Sequence, residues 1–308
     1  ARARAPELGG RIGVNLVGPT VLGHGTAEQQ QRWLPDILSA DRLFCQLFSE
    51  PDAGSDLASL STRAVRVDGG WELHGQKVWT SYAQFADWGL CLARTDPDAP
   101  KRRGISAFMV DMHAPGVEVR PLRQITDEAD FNEVFFDGAF VADDQLIGPE
   151  HGGWKVSGST LTHERGTNPR QLVIHAQLLE ELLRLADDRG LGDDPRLADE
   201  LAQAFVEVRL FQLQNWRSLS RLQHGRPLGP EAATAKLYWS EMSQRLHATA
   251  LRVLGDDAPL WRGAAGNPAD GRWQRSWLYY RAASIFAGSN EIQRTIIGER
   301  TLGLPREP

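Results

Sequence analysis

The spacing of hydrophobic positions changes character twice along the chain. Residues 1–45 read as helices and loops. Thr26-Ala27-Glu28-Gln29 has the form of a capping box, in which a hydroxyl and a side-chain amide satisfy exposed N–H groups at a helix start. Trp33, Leu34, Ile37 and Leu38 follow at helical spacing and form one apolar face. From about residue 44 to 148 the pattern is that of strands. Phe44 to Phe48 is a short apolar run, and Ala64–Val67 and Trp71–Gly75 flank Asp68-Gly69-Gly70 as a hairpin. Leu90–Ala93, Ile105–Asp111, Val117–Pro121 and Asn132–Phe136 continue the series. This spacing, punctuated by Gly, Pro and Asp, predicts an antiparallel barrel or sandwich rather than βαβ units.

From about residue 152 the period is helical again. Residues 170–188 carry Leu172, Ile174, Leu178, Leu179, Leu182 and Leu183 on a broad face. A long helix is predicted over 196–224, stopped by Gly225. Another starts at Pro230 and runs to about Leu254. Further helical stretches cover 273–284 and 289–302. These segments predict an antiparallel bundle, while the Gly-, Asp-, Ala- and Pro-rich segment 255–271 reads as a surface loop.

Composition narrows the function classes. The chain has 308 residues, 41% hydrophobic and 24% charged, with a formal net charge of −6. That suits a globular protein of two or more domains. It argues against a broad nucleic-acid footprint, while leaving room for a local basic pocket. No apolar run approaches the roughly 20 residues a membrane span needs. The opening Ala-Arg-Ala-Arg-Ala-Pro has no apolar segment behind it, so no secretory signal is expected, and a cytoplasmic enzyme fits. Cys45 and Cys91, the two cysteines, each lie in a strand-like run and are expected as buried free thiols rather than a disulfide. No Cys/His set has metal-ligand spacing, so no metal is expected.

Two segments carry candidate chemistry. Phe48-Ser49-Glu50-Pro51-Asp52-Ala53-Gly54-Ser55-Asp56 leaves a strand into a Pro/Gly turn. Such a turn gathers N–H groups and hydroxyls suited to a polar ring edge or a pyrophosphate, and equally forms a plain turn. Gly75-Gln76-Lys77-Val78-Trp79-Thr80-Ser81 sets a Trp beside small hydroxyl residues. It suits stacking on a ring system, and equally a core Trp with a capping serine.

Together the two segments resemble the flavin loop and the tryptophan segment of the acyl-CoA dehydrogenase family. Phe286-Ala287-Gly288-Ser289-Asn290-Glu291-Ile292-Gln293-Arg294 resembles that family's C-terminal signature. Phe135-Phe136-Asp137 through Val141 resembles the strand that closes its β domain. The resemblance runs from about Gly10 to Pro305. It implies an α+β fold: the remainder of an N-terminal helical domain in 1–45, a middle antiparallel β-barrel domain in 46–150, and a C-terminal antiparallel four-helix bundle in 151–308. The N-terminal part is short, as if several helices that help cover the family's acyl pocket were missing. The cofactor implied is FAD. Carried over by residue, Phe48 and Ser49 meet the isoalloxazine edge. Gly54 and Ser55 lie near the cofactor phosphates or the start of the CoA arm. Trp79 flanks the ring, Ser81 approaches N5, Ser289 meets the cofactor, and Glu291 lies close by. Ser55, Thr162, Arg165 and Gly288 are the implied substrate contacts, with Arg102 or Arg103 as weaker candidates for the CoA arm.

The family reaction takes the α-proton of an acyl-CoA to a carboxylate base and the β-hydrogen as hydride to flavin N5. Hydrogen bonds to the thioester oxygen stabilise the enolate-like charge. Many members place the base in the C-terminal signature, at the position held here by Ala287, which cannot take a proton. A minority place it in a Glu-Arg pair on a helix, and Thr162-His163-Glu164-Arg165-Gly166 matches that alternative. The resemblance thus implies a split site, with Glu164 as base and the Ala287 N–H donating to the thioester oxygen. The bland alternative is an exposed first-turn Glu favoured by the helix dipole.

A second departure concerns assembly. Family homotetramers complete the FAD site of a neighbouring subunit with an Arg-x-x-Phe-Gly segment and a Gln-x-x-Gly-Gly-x-Gly loop. The corresponding stretches here, Asp188-Arg189-Gly190-Leu191-Gly192 and Arg252-Val253-Leu254-Gly255-Asp256-Asp257, carry neither pattern. Asp256 and Asp257 place negative charge where a pyrophosphate is expected. A heteromer, of the α2β2 type that acts on steroid-CoA substrates, resolves this; a homo-oligomer with substitute contacts is the alternative. An electron-transfer flavoprotein is the implied electron acceptor. A non-catalytic partner subunit and an acyl-CoA oxidase are the competing functions.

Overall fold

In the computed structural model, residues 9–164, 169–191, 194–226 and 228–305 are described, and the side chains of residues 162–164, 169 and 231 lie outside that description. The chain forms two compact units that divide after Glu164.

The first unit opens with a π-helical turn, Gly13–Val17, which runs into α1 (Gly18–His24) and is followed by α2 (Ala27–Ser39). The capping box closes in both directions. Thr26 N–H donates to Gln29 Oε1 at 2.9 Å, and Gln29 N–H donates to Thr26 Oγ1 at 3.2 Å. Gln29 also reaches beyond its helix: its Nε2 donates to the carbonyls of Asp144 and Leu146, each at 2.8 Å. One side chain therefore starts α2 and docks it on the β region.

Eight strands form one sheet: β1 (Phe44–Leu47), β2 (Arg63–Val67), β3 (Gly70–Ser81), β4 (Trp88–Arg94), β5 (Ile105–Asp111), β6 (Val117–Leu122), β7 (Phe131–Ala142) and β8 (Leu146–Ile147). The hairpin predicted around Asp68-Gly69 is β2–β3, with Val67 opposite Gly70 and Gly69 at φ 73°. Gly70 is needed for space as well, because a Cβ there would lie 2.3 Å from the Val141 carbonyl oxygen.

The expected antiparallel barrel is corrected in two respects. The hydrogen-bonded path β6-β7-β3-β2-β4-β5-β8 has two ends and is not closed, and β1 and β2 both pair with β4 in parallel. The parallel entry of β1 follows from how its start is tied to that of β4. Asp87 N–H and Trp88 N–H both donate to the Leu43 carbonyl, and Leu43 N–H donates to the Asp87 carboxylate. Local alternation does not encode this, because parallel neighbours are joined by a long excursion of chain, here residues 48–87.

Strand alternation separates two cores. Leu90, Leu92, Ile105, Ala107 and Met109 face one side, where Val17, Val21, Trp33 and Ile37 of the N-terminal helices and Val156 pack on them. Cys91, Ala93, Phe108 and Val110 face the other, with Trp71, Leu73, Val134 and Val141. Neighbouring residues of one strand serving different cores is the direct consequence of a two-residue side-chain period. Cys45 and Cys91 are buried free thiols, as expected, and Cys45 Sγ lies 3.8 Å from Met112 Sδ. Helix α3 (Gly153–Glu164) packs on this sheet. A Cβ on Gly153 would lie 2.7 Å from the Ser106 carbonyl carbon, so only glycine allows the helix this close.

Among its described residues the second unit has three long helices, α4 (Pro169–Asp188), α5 (Pro195–Gln223) and α6 (Glu231–Leu254). Glu200 pairs with Arg252 and Glu207 with Arg245, so α5 and α6 are antiparallel. His175 bonds Ser243 while Arg189 bonds Asp257 just past α6, so α4 and α6 run the same way. The predicted glycine stop is present: Gly225 sits at φ 67° after α5. The expected four-helix bundle is modified. Its fourth position is shared by two short helices, α7 (Arg272–Tyr279) and α8 (Asn290–Ile296), both packed on α6. They are separated by a 3-10 stretch, Tyr280–Ser284, and by a turn in which Ala287 and Gly288 have φ of 55° and 84°. Two successive left-handed residues cannot continue a right-handed helix.

An aromatic cluster fixes that broken wall. His247 stacks on Tyr280 at 4.6 Å, and Phe286 lies against Trp239 and Tyr279. Burial lowers His175 to about 4 and His247 to about 3, so both are neutral rings at pH 7. Among the described residues no helix is long and apolar enough to cross a membrane.

The double role of Gln29 yields a stability prediction. Gln29→Ala removes half of the capping box and leaves two inward carbonyls without their donor, and is expected to cost about 2 kcal/mol. Urea unfolding checks this, and a loss no larger than that of an exposed α2 substitution such as Gln31→Ala would contradict it.

Candidate functional site

The two segments singled out in the sequence meet at a buried ion pair. Lys77, from β3, is fully buried, and its Nζ donates to Glu50 Oε1 at 2.8 Å and to the Phe48 carbonyl at 3.1 Å. Glu50 is saturated by further donors from the end of the same loop. Its Oε2 accepts from Ser61 N–H at 2.6 Å and Ser61 Oγ at 2.9 Å, and its Oε1 accepts from Thr62 N–H at 2.9 Å. Burial alone raises the carboxyl pKa. The Lys77 charge and the hydrogen bonds from Lys77, Thr62 and Ser61 outweigh burial and bring it down to about 2.

The loop between these anchors is held at several further points. Glu50 and Ala53 exchange both backbone hydrogen bonds across Pro51-Asp52, each at 3.1 Å. Arg94 donates to the carbonyls of Leu60 and Ala58, at 3.0 and 2.8 Å. Lys101 donates to Asp56 at 3.1 Å and to Ser59 at 2.6 Å. Gly54 and Ser55 lie on the exposed crest. A loop ordered in this way presents a fixed array of backbone and hydroxyl groups, the property that suits it to a polar ligand.

Trp79 is presented by a bulge. The β3–β7 register passes from Lys77 opposite Val134 to Thr80 opposite Asn132, so Val78 and Trp79 together face one residue. Trp79 has φ 59°, which is strained for an aromatic residue by about 1–2 kcal/mol. The bulge turns the indole outward: it is 61% exposed and touches the edge of Phe131, centroids 6.2 Å apart. A large exposed aromatic held in a strained conformation is a ready stacking surface. Val78 N–H donates to the Ser49 carbonyl at 2.9 Å, so the bulge and the loop are joined directly. At the next paired positions, Thr80 Oγ1 and Asn132 Oδ1 are buried without a hydrogen-bond partner among the described residues.

In the second unit the C-terminal signature is a turn followed by a helix start. Gln293 is fully buried, and its Nε2 donates to the carbonyls of Ala287 and Gly288, at 3.2 and 3.1 Å. Ser289 is the N-cap of α8, its hydroxyl accepting from Ile292 N–H at 3.4 Å. Asn290 accepts from Lys236 Nζ at 3.2 Å and Ser240 Oγ at 2.9 Å, which ties the turn to α6. Glu291 is exposed. Its own backbone N–H and the Ser289 hydroxyl lower its pKa.

The structure brings Phe48, Ser49, Trp79 and Ser81 into one neighbourhood and sorts their roles. The Phe48 ring is part of the helix–sheet core, and its carbonyl is the group engaged by Lys77. Ser49 and Ser81 are half-buried, and Trp79, Gly54 and Ser55 are exposed. Ala287, Gly288 and Ser289 share one half-buried turn. Arg102 and Arg103 are exposed, with the Arg102 guanidinium 5.2 Å from the Trp154 ring centroid. The side chains of Thr162 and Glu164, and all of Arg165, lie outside the described residues. The residues that order the site, Glu50, Lys77 and Gln293, were missed by motif reading. A signal for the first two existed: each is a charged residue beside apolar strand positions, where burial requires a partner.

Comparison with known proteins adds a second line of argument. A family model described as "Acyl-CoA dehydrogenase, middle domain" matches residues 45–139, and "Acyl-CoA dehydrogenase, C-terminal domain" matches 151–302. The chain is 40% identical over 308 residues to the acyl-CoA dehydrogenase IpdE1 of Mycobacterium tuberculosis, covering 100% of this chain and 78% of that protein. It is similar in structure to the steroid ACAD Tcur3481-Tcur3483, with TM-score 0.91, 30% identity, and coverage of 97% of this chain and 77% of that one. It is also similar to the ChsE4-ChsE5 complex from Mycobacterium tuberculosis, with TM-score 0.87, 32% identity, and coverage of 96% and 78%.

The Glu50–Lys77 pair gives the first unit a defined acid sensitivity. The Glu50 carboxyl is lowered on folding from 4.5 to about 2. Its contribution is therefore present above about pH 4.5 and is lost as pH falls from there towards 2, on the order of 3 kcal/mol in all. Glu50→Gln leaves Lys77 buried without its counter-charge and is expected to cost about 3–5 kcal/mol at pH 7. The variant should also show a flatter decline of stability between pH 4.5 and 2.5 in denaturant titrations. An identical decline in both proteins would refute the assignment.

Proposed function

Because the chain belongs to the acyl-CoA dehydrogenase family, we propose that it catalyses the FAD-dependent α,β-dehydrogenation of an acyl-CoA thioester to the trans-2-enoyl-CoA. The observation that carries this reading is the outward-facing, left-handed Trp79 beside Thr80 and Ser81, joined by Lys77 and Val78 to the ordered 48–62 loop. A planar ring fits against such an exposed, rigidly held indole. FAD, when bound, supplies the two-electron acceptor for the β-hydrogen.

The chain's own residues do the rest. Trp79 flanks the ring, Ser81 and the Ser49 backbone address its polar edge, and Gly54 and Ser55 lie along the phosphates or the start of the CoA arm. Glu164, the last residue of α3, takes the α-proton. The Ala287 N–H, held in a turn whose carbonyls are already fixed by Gln293, donates to the thioester oxygen and stabilises the charge that develops as the proton leaves. Gly288 gives the substrate a close approach to that turn, Thr162 and Arg165 contact the CoA end, and Ser289 and Glu291 complete the cofactor-facing side.

A second subunit completes the FAD site. Arg189, in the stretch that corresponds to a cofactor-donating segment of the family, is committed within its own chain: it donates to Asp257 at 2.8 Å and to the Leu254 carbonyl at 2.9 Å. Helix α5 also exposes Phe205, Val206, Leu210, Leu213 and Trp216. Those residues lie on the side opposite its buried Leu201, Ala204, Val208 and Phe211, a face that suits burial in an oligomer. The two similar solved structures are complexes named for two proteins each, one of them a steroid enzyme. These features favour a heteromer with a polycyclic acyl-CoA as substrate; an electron-transfer flavoprotein as acceptor rests on the family resemblance alone.

Glu164→Gln is expected to retain FAD yet lose flavin reduction by substrate by at least 1,000-fold, on the order expected for removal of an essential base. Anaerobic stopped-flow bleaching of the flavin measures it, and near-native reduction would sink the base assignment. Co-purification with a partner should give a yellow complex reducing a dye acceptor faster with steroid than with straight-chain acyl-CoAs.

A further inference from the structure

We propose that Asn132 is a positioning residue for Trp79, acting through the Thr80 carbonyl; this rests on the reading of Trp79 as the ring that flanks the flavin. The bulge has two sides. On the near side, Val78 N–H is fixed to Ser49 and Lys77 Nζ to Phe48 and Glu50. On the far side, the strand must resume its ladder at once although Trp79 is left-handed. Asn132 is the residue opposite Thr80 where pairing restarts, and it is fully buried. Its Nδ2 donates to the Thr80 carbonyl at 3.0 Å and to Gln84 Oε1 at 2.5 Å. Gln84 in turn donates from Nε2 to the Ala129 carbonyl at 2.8 Å, and Tyr82 N–H donates to the Asp130 carbonyl at 2.7 Å.

The amide of Asn132 therefore joins the Thr80–Ser81 peptide, one residue past Trp79, to the 3-10 turn Ala83–Phe85, and Gln84 carries the link on to the lead-in to β7. The position selects for this residue type. A short side chain is needed to stay within the strand layer, and a two-proton donor is needed to reach a carbonyl and an amide oxygen at once. Serine and threonine supply one proton, and aspartate at neutral pH supplies none. With the near side of the bulge held by the Glu50–Lys77 pair and the Thr80 carbonyl held by Asn132, the strand is fixed on both sides of Trp79, which limits how far its positive φ can relax. Releasing the far side frees Trp79 to leave the left-handed region, which swings the indole away from the ring it flanks. Asn132 touches neither cofactor nor substrate in this scheme, and its effect passes through the Thr80 carbonyl to the neighbouring Trp79 backbone.

The test uses the full chain with FAD bound and with any partner subunit that co-purifies. It compares native protein with Asn132→Ala, Gln84→Ala, Trp79→Phe and the double variant Trp79→Phe/Asn132→Ala. The readouts are flavin emission per bound FAD and the flavin midpoint potential, since an adjacent indole quenches the emission. Asn132→Ala is expected to raise emission several-fold at unchanged FAD content. Gln84→Ala should raise it in the same direction and by less. In the Trp79→Phe background, the Asn132 substitution should add nothing, because its route is already gone. If Asn132→Ala does not hold FAD, Gln84→Ala decides by the same criterion. Native emission in Asn132→Ala and Gln84→Ala, beside a changed emission in Trp79→Phe, overturns the role of Asn132 while leaving Trp79 as the flanking ring. An Asn132 effect of equal size in the double variant overturns it as well, since it then acts by another route. Unchanged emission in Trp79→Phe removes the flavin-flanking reading itself, and the inference with it.

Discussion

The ion pair between Lys77 and Glu50 is the constraint on which the first unit's site depends. It joins the loop after β1 to the middle of β3 in the interior, where a lone charge of either sign would be prohibitive. The two charges are not merely adjacent. Every strong acceptor direction of the Glu50 carboxylate is used by Lys77, Ser61 or Thr62, and Lys77 also reaches the Phe48 carbonyl. A pair satisfied to this degree specifies one loop conformation, because any other leaves a buried charge unpaired. The ordered 48–62 loop and the fixed near side of the Trp79 bulge both follow from it.

The second unit solves a similar problem mainly with the neutral amide of Gln293. Its C-terminal turn needs two consecutive left-handed residues, and it keeps them by giving both carbonyls one buried donor, Gln293, and by tying Asn290 to α6. The turn's architecture therefore rests on Gln293 and Asn290 and needs no side chain at 287 beyond alanine. Arg189 and Asp257 neutralise each other within the chain, and groups so engaged are poorly suited to serve a neighbour's cofactor.

Much of the fold was legible in order and kind. The capping box at Thr26, the hairpin at Asp68-Gly69, the glycine stop at Gly225 and the free cysteines follow from short-range rules, and each is present. The closed antiparallel barrel was not a safe expectation. A parallel neighbour such as β1 beside β4 is set by hydrogen bonds between Leu43 and residues 87–88, more than forty positions apart, and no local period reports on them. The helical spacing of 273–284 and of 289–302 matches the two short segments seen there, whereas the packing of both on α6 across a left-handed turn at Ala287-Gly288 is long-range and has no local signal.

The sequence by itself determined the order of elements, the family resemblance, the absence of a carboxylate at 287 and the presence of the Glu164-Arg165 pair from which the base is proposed. These are matters of residue type at stated positions. The tertiary structure alone decided that Phe48 contributes a carbonyl while its ring serves the core, that Trp79 faces outward on a strained bulge, and that Glu50, Lys77 and Asn132 hold that bulge in place. The physical reason is that a motif names the groups near a ligand, whereas the conformation of those groups is fixed by buried partners whose pairing is long-range and leaves no periodic trace in the chain.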